Sequence, residues 1–395
     1  MKFFLRILLM TIPFVLFGAA SLEAMGSRPV MQEESRMLRV AVATGQTKTM
    51  LRVSGSYEMR QLHTGTLIRE GGSLEAEFSP GMEGLRMNGE NLQVYGVRII
   101  PRREATLFVN QTRFRGIVDV IRQNNMTILV VNHLGIESYL YGVLPYEIPH
   151  DWPDVMLEVQ AILARSYALY KKIEHQKDDY DVVATVLSQH YGGREREKRR
   201  LRQVVDRTAG KVLTDHGTLF PTFYHSTCAG QTEDAQEAML FKEKRLPLRG
   251  GVRCTYCEDS PFYRWERSFL LDDIAFRLRK GGYPVRMIRN LRIEGRTNSG
   301  RVKDIRILHE KGEMVIPGPK FRLAISPVDL RSTKFDVTVR EGKAFFKGGG
   351  WGHGAGLCQY GAYGMAKRGY RAEEILLYYY PGSEIRELPN IPWHE

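Results

Sequence analysis

The chain has 395 residues, enough for about two to three domains of ordinary size and for a sizeable core. An apolar fraction of 43% and a charged fraction of 26%, with 38 glycines and 17 prolines, exclude a disordered, low-complexity or collagen-like chain. Lysine and arginine number 57 against 45 acidic residues, and the net charge of +12 suits an anionic partner such as nucleic acid, an acidic membrane face or a cell-wall polymer.

In chain order, Lys2 and Arg6 precede an uncharged stretch at 7–20 that ends among small residues, the layout of a secretory signal. That stretch is shorter than the ~20 residues of a spanning helix. Cleavage near Ala20 or Ala24 is therefore expected, leaving no stable membrane span, with a retained short anchor as the alternative. Export to the periplasm, envelope or wall removes nucleic acid from the expected partners.

From 37 to 135 the pattern is that of antiparallel strands, as at 38–42, 51–53, 92–97 and 126–131, with glycine- and asparagine-containing turns between them. In 142–149, Pro145 and Pro149 flank Glu147 and predict a short stiff loop. Asp151 reads as an N-cap, Pro153 falls in the first turn, and Val155, Val159, Ile162, Ser166 and Leu169 recur at helical spacing, which predicts a helix over 153–170. The charge run at 194–202 reads as a solvated face or surface insertion. Strand patterns return at 211–213, 287–288, 302–308 and 335–339, and short helices are expected over 272–280 and 373–380.

This order implies an α+β fold: a strand-rich N-terminal half, a central helix, then mixed strands and short helices around a cleft. It divides into a signal at 1–24, a β-rich part at 37–135, a core at 136–265 and a β-rich segment with a glycine-rich block at 266–395. Glu147, on its stiff loop beside Tyr146, Ile148 and Trp152, is a candidate general acid if partly desolvated; the alternative is a surface glutamate in a turn.

Glu137–Pro149, Trp152-Pro, Gln160–Ala168, Phe114-Arg-Gly, Gln189-His-Tyr-Gly-Gly, Thr208–Leu213, Tyr224–Thr232 and Gly348–Ala362 together resemble the stage II sporulation protein D and amidase-enhancer family. The resemblance runs from about Leu38 to Gly382. It implies a lytic transglycosylase acting on peptidoglycan glycan stripped of stem peptides, with Glu147 as its acid/base and no catalytic cofactor. Tyr146, Arg165, Gln189, Tyr191, His353, Gln359 and Tyr360, which fall in these stretches, are the expected sugar-binding residues. One carboxyl suffices for that reaction, because the sugar's own C6 hydroxyl closes onto C1. Glu137 and Asp151 are candidates for a second acid in a hydrolase, and Glu137 serves equally well as a structural partner for Arg165. Some family members are amidase enhancers, so the alternative is a non-catalytic partner of an N-acetylmuramoyl-L-alanine amidase.

The block 348–356 holds six glycines in nine residues but lacks the ending of a P-loop. Its Trp351 and His353 either line a sugar cleft or, for Trp351 above all, pack in the core. His225-Ser-Thr-Cys228 and Cys254-Thr-Tyr-Cys257 match the spacing of a Cys3His structural zinc site, with a disulfide from Cys228 to Cys254 or Cys257 as the alternative. Cys358 stands apart and reads as a small buried residue.

Overall fold

Buried and exposed side chains alternate through much of Met37–Gly135 and, in the computed structural model, build one large sheet. The structure describes residues 37–185 and 188–388; the expected signal at 1–24 lies outside them. The strands are β1 (Met37–Gln46), β2 (Thr49–Gln61), β3 (Leu67–Gly81), β4 (Gly84–Met87), β5 (Glu90–Asn91), β6 (Gly96–Pro101), β7 (Thr106–Val109), β8 (Thr112–Phe114), β9 (Ile117–Arg122) and β10 (Ile128–Gly135). Their order is β1-β10-β9-β6-β2-β3-β4-β5, with β7 bridging β2 to β8. These pairings are antiparallel, as expected. A later strand, β11 (Val182–Val183), adds a parallel edge beside β1.

The stiff loop expected at 142–149 is instead the end of a helix, α1 (Ile136–Glu147), which starts directly after β10. Its buried Tyr139, Leu140, Val143 and Leu144 share one helical face, and burying that face outweighs the local cost of a proline. Pro145 lacks the N–H that would reach the Tyr141 carbonyl, and the helix stops two residues later at Glu147. The central helix, α2 (Asp154–Glu174), outlasts its expected end at residue 170, and Pro153 rather than Asp151 occupies its cap position. Every residue from Val159 to Leu169 is buried, so α2 is a spine covered on all sides.

The charge run leads into α3 (Arg199–Arg207), whose Arg200 and Arg207 both pair with Asp154, while Glu195 and Glu197 pair with Arg113 and Arg115. Next come β12 (Lys211–Asp215), β13 (Thr218–Leu219), β14 (Tyr224–His225) and the short helix α4 (Ala235–Met239). Residues 265–348 form a module: β15 (Trp265–Leu270), α5 (Leu271–Lys280), β16 (Asn290–Arg296), β17 (Val302–His309), β18 (Gly312–Pro317), α6 (Gly318–Ile325), β19 (Phe335–Arg340) and β20 (Lys343–Gly348). Two three-stranded sheets, β15-β20-β19 and β16-β17-β18, enclose a core of their own that includes Ile305, Phe321 and Phe346. The chain then returns through β21 (Leu357–Cys358), α7 (Gln359–Lys367), α8 (Ala372–Tyr379) and β22 (Glu384–Glu387).

The principal core runs without interruption from Leu38 in the sheet through α1 and α2 to Tyr380. Two late returns complete it: β22 pairs with β12, and β21 pairs in parallel with β14 in the register Tyr224↔Leu357 and His225↔Cys358. Among the described residues no helix is long and apolar enough to cross a membrane.

Candidate active site

Glu147 ends α1 half-buried and opens onto a cavity of about 280 Å³, which Tyr167, Ser188, Thr222, Phe223, Tyr224, Met239 and His353 also line. One carboxylate oxygen accepts the His190 N–H at 3.1 Å, and the Tyr224 hydroxyl donates to the same carboxylate. Burial raises the carboxyl above its ordinary range and outweighs those two donors, which pull it down. Glu147 is thus biased toward holding a proton, as a general acid requires. Its backbone carbonyl accepts from Gln359 Nε2 at 3.0 Å, and Gln359 also donates to Gln160 Oε1 at 3.1 Å. In this way α7 fixes the end of α1.

The loop that carries His190 is held by stacking: the Tyr146 and His190 rings lie 4.1 Å apart at 17°, and the Arg196 guanidinium sits 4.9 Å from the Tyr146 ring centre. A side chain at Gly192 would place Cβ 2.1 Å from the Tyr146 hydroxyl, so this close approach needs glycine. On the opposite wall, burial pushes the His353 imidazole down to about 4, leaving it neutral at physiological pH, with Nδ1 accepting the Ala355 N–H at 3.1 Å. Tyr360 and Trp152 meet edge-on at 5.2 Å, and Phe262 links Tyr360 to Trp351. Trp351 is half-buried in this aromatic row beneath Arg331 and does not line the cavity.

Three expected sugar-binding residues are instead consumed by the core. Arg165 is fully buried and grips Glu137 through Nε at 2.9 Å and Nη2 at 2.6 Å, with Nη1 donating to the Lys211 carbonyl. Gln189 accepts from the Tyr139 hydroxyl and donates to the Ala164 carbonyl and the Tyr224 hydroxyl. Tyr191 donates to Asn132 Oδ1 at 3.0 Å and packs on Phe114 and Tyr139. These buried groups satisfy their polar atoms with protein partners and position others rather than contact a ligand. The Arg165 fork also engages Glu137 as a structural partner, and exposed Asp151 does not line the cavity, so neither is placed as a second acid.

Tyr224, Tyr167 and Thr222 enter the site without having been singled out. Tyr224 opens a family-like stretch, but nothing local links it to a glutamate 77 positions earlier. The metal-ligand expectation needs a comparable correction. Cys228, Cys254 and Cys257 converge, but their fourth companion is Cys358: these four sulfurs lie within 4.8 Å of one another, and His225 is not part of that group. Cys358 is buried, as expected, but does not stand apart.

The family profile described as stage II sporulation protein matches residues 124–214, and a domain of unknown function matches 195–356. An uncharacterized protein of Brachyspira hyodysenteriae is 31% identical over 303 residues, covering 76% of this chain and 79% of its own length. Stage II sporulation protein D of Bacillus subtilis is 25% identical over 274 residues, covering 65% and 76%. The amidase enhancer of the same organism is 25% identical over 366 residues, covering 80% of this chain and half of that protein.

Proposed function

The chain belongs to the stage II sporulation protein D and amidase-enhancer family, and from that premise we propose that it acts at the bacterial cell wall as an exported peptidoglycan lytic transglycosylase. The observation that carries this reading is a single carboxyl, Glu147, biased toward its protonated form at a cavity where, among the described residues, no second carboxylate is a lining group. A hydrolase of the usual kind needs two carboxylates. Here Glu147 donates its proton to the glycosidic oxygen as the bond from C1 of N-acetylmuramic acid breaks. The C6 hydroxyl of that sugar then bonds to C1 and returns its proton to Glu147, so the product is a 1,6-anhydro end and the acid is regenerated. The Tyr167 hydroxyl is suited to hydrogen-bond sugar hydroxyl or N-acetyl groups in the same cavity, while neutral His353 and buried Thr222, whose hydroxyl donates to the Leu163 carbonyl at 2.8 Å, shape its wall.

The 366-residue alignment with an amidase enhancer favours a second reading, a non-catalytic stimulator of an N-acetylmuramoyl-L-alanine amidase. Mass spectrometry of peptide-free glycan incubated with the protein separates the two. Anhydro-ended fragments are expected; reducing ends would indicate a hydrolase, and intact glycan with stimulation of an added amidase would support the enhancer.

Tyr224 provides a pH test. Its hydroxyl favours the ionised form of Glu147, so Tyr224→Phe should leave burial less opposed and raise the carboxyl further. The acid form then persists to higher pH, and the alkaline limb of the cleavage rate should shift upward. An unmoved limb would mean that Tyr224 does not tune this carboxyl.

A further inference from the structure

Four thiols that the glycan chemistry leaves unused meet in the principal core. Cys228 follows β14, Cys254 and Cys257 lie on the approach to the 265–348 module, and Cys358 ends β21 just after that module. All four are buried, and their sulfurs lie within 4.8 Å of one another. None is in a disulfide, and the sulfurs of Cys228 and Cys257 are 3.7 Å apart. A disulfide would require about 2.05 Å. Four sulfurs about 2.3 Å from a tetrahedral zinc ion would stand about 3.8 Å from one another.

The surroundings are built for thiolates. Cys358 Sγ accepts backbone N–H groups from Cys228 at 3.2 Å and Gly361 at 3.3 Å, and the Tyr379 hydroxyl lies 3.1 Å from Cys254 Sγ. Such donors orient metal-bound sulfur and disperse its charge. A zinc ion with four thiolates carries a net charge of −2, and a buried Arg301 and a half-buried Lys334 offset it. Arg301, 1% exposed, donates to the Cys228 carbonyl at 3.2 Å, and Lys334 donates to the Ala229 carbonyl at 2.7 Å. Ser299 stands between Arg301 and the Glu233 carboxylate, accepting from one and donating to the other, which leaves the guanidinium turned toward the cysteine cluster. A buried cation so placed is costly beside neutral thiols and favourable beside thiolates.

The geometry points to a structural zinc site formed by Cys228, Cys254, Cys257 and Cys358, with His225 outside it. Four protein ligands leave no position for catalysis, so the ion works by joining segments. It clips the chain entering the 265–348 module to the chain leaving it. It also ties the end of β21 to the turn after β14, the strand that presents Tyr224 to Glu147. The next residue after Cys358 is Gln359, which holds the Glu147 carbonyl. The site rests on the thiols and their surroundings alone and stands whether or not Glu147 cleaves glycan.

The test is metal analysis and zinc K-edge X-ray absorption on the full chain purified under reducing conditions. One zinc per chain with four sulfur scatterers at about 2.3 Å and no nitrogen shell is the expected result. Three sulfurs and one nitrogen would overturn the assignment of Cys358 over His225. A zinc-free protein, a cysteine disulfide in the intact mass, or iron in place of zinc would overturn the site as proposed. Cys358→Ser should lose its zinc to a chelator that the parent resists, whereas His225→Ala should keep it. If Cys358→Ser does not fold, the absorption spectrum of the unaltered protein still decides the ligand set.

Discussion

Glu147→Gln is expected to lose about 10²- to 10⁴-fold in glycan cleavage, the usual contribution of a positioned acid/base, with no anhydro-ended fragments above background. The amide keeps nearly the shape of the carboxyl and can still accept from the His190 N–H, so the cavity should survive. Stability gives an independent signature. Because burial holds the folded carboxyl above its unfolded value, the proton on Glu147 stabilises the fold fully below the unfolded pKa, and that stabilisation is lost as pH rises through the folded pKa. Above the folded pKa the parent carries a buried charge that the amide lacks. The variant should therefore gain in melting temperature over the parent as pH rises through the folded pKa, and the gap should close as pH falls below it. A variant that cleaves glycan at the parental rate would remove Glu147 from the chemistry. A variant that is inactive and also melts lower at every pH would point to a structural role.

Gly356→Ala should be the most damaging single-atom-scale change near the site. Gly356 has φ +66°, and a Cβ there would fall 1.9 Å from the Phe223 carbonyl oxygen and 3.0 Å from the Tyr380 hydroxyl. That carbonyl already accepts the Leu357 N–H at 3.1 Å and the Tyr380 hydroxyl at 2.6 Å, so it cannot retreat without breaking both bonds. Left-handed strain of about 1–2 kcal/mol adds to about 1–3 kcal/mol for overpacking, giving a loss on the order of 2–5 kcal/mol in denaturant or thermal melts. Phe223 directly precedes Tyr224, so the residual folded protein should also cleave glycan more slowly. Gly342→Ala is the control: φ is +70°, nothing lies within 4 Å of the added carbon, and only the backbone strain should appear. Equal losses in the two variants would show that the Gly356–Phe223 contact does not hold β14 and β21 together.

Short-range pattern in the amino-acid sequence already carried several of these features. Strand alternation before residue 135, the apolar spacing of α2, the short helices near 272–280 and 373–380, and Glu147 between its prolines were all legible, as was the pairing of Glu137 with Arg165 as one option. Pro145 misled because a local rule about one missing N–H was set against the burial of Tyr139, Leu140, Val143 and Leu144, which only a facing helix can supply. Gln189, Tyr191 and Arg165 carry the same polar groups whether they face a sugar or a core. Elements far along the chain decide which, by closing over them and supplying Tyr139, Asn132 and Glu137 as partners. Cys358 was misread for a related reason: spacing rules register cysteines three residues apart, and this one lies 101 positions beyond Cys257, across a module with its own core. Folding of the whole chain brought Tyr224 and His353 to Glu147 and four sulfurs to one point. Side-chain chemistry is encoded locally, whereas solvent exclusion and the meeting of distant segments depend on how the whole chain packs.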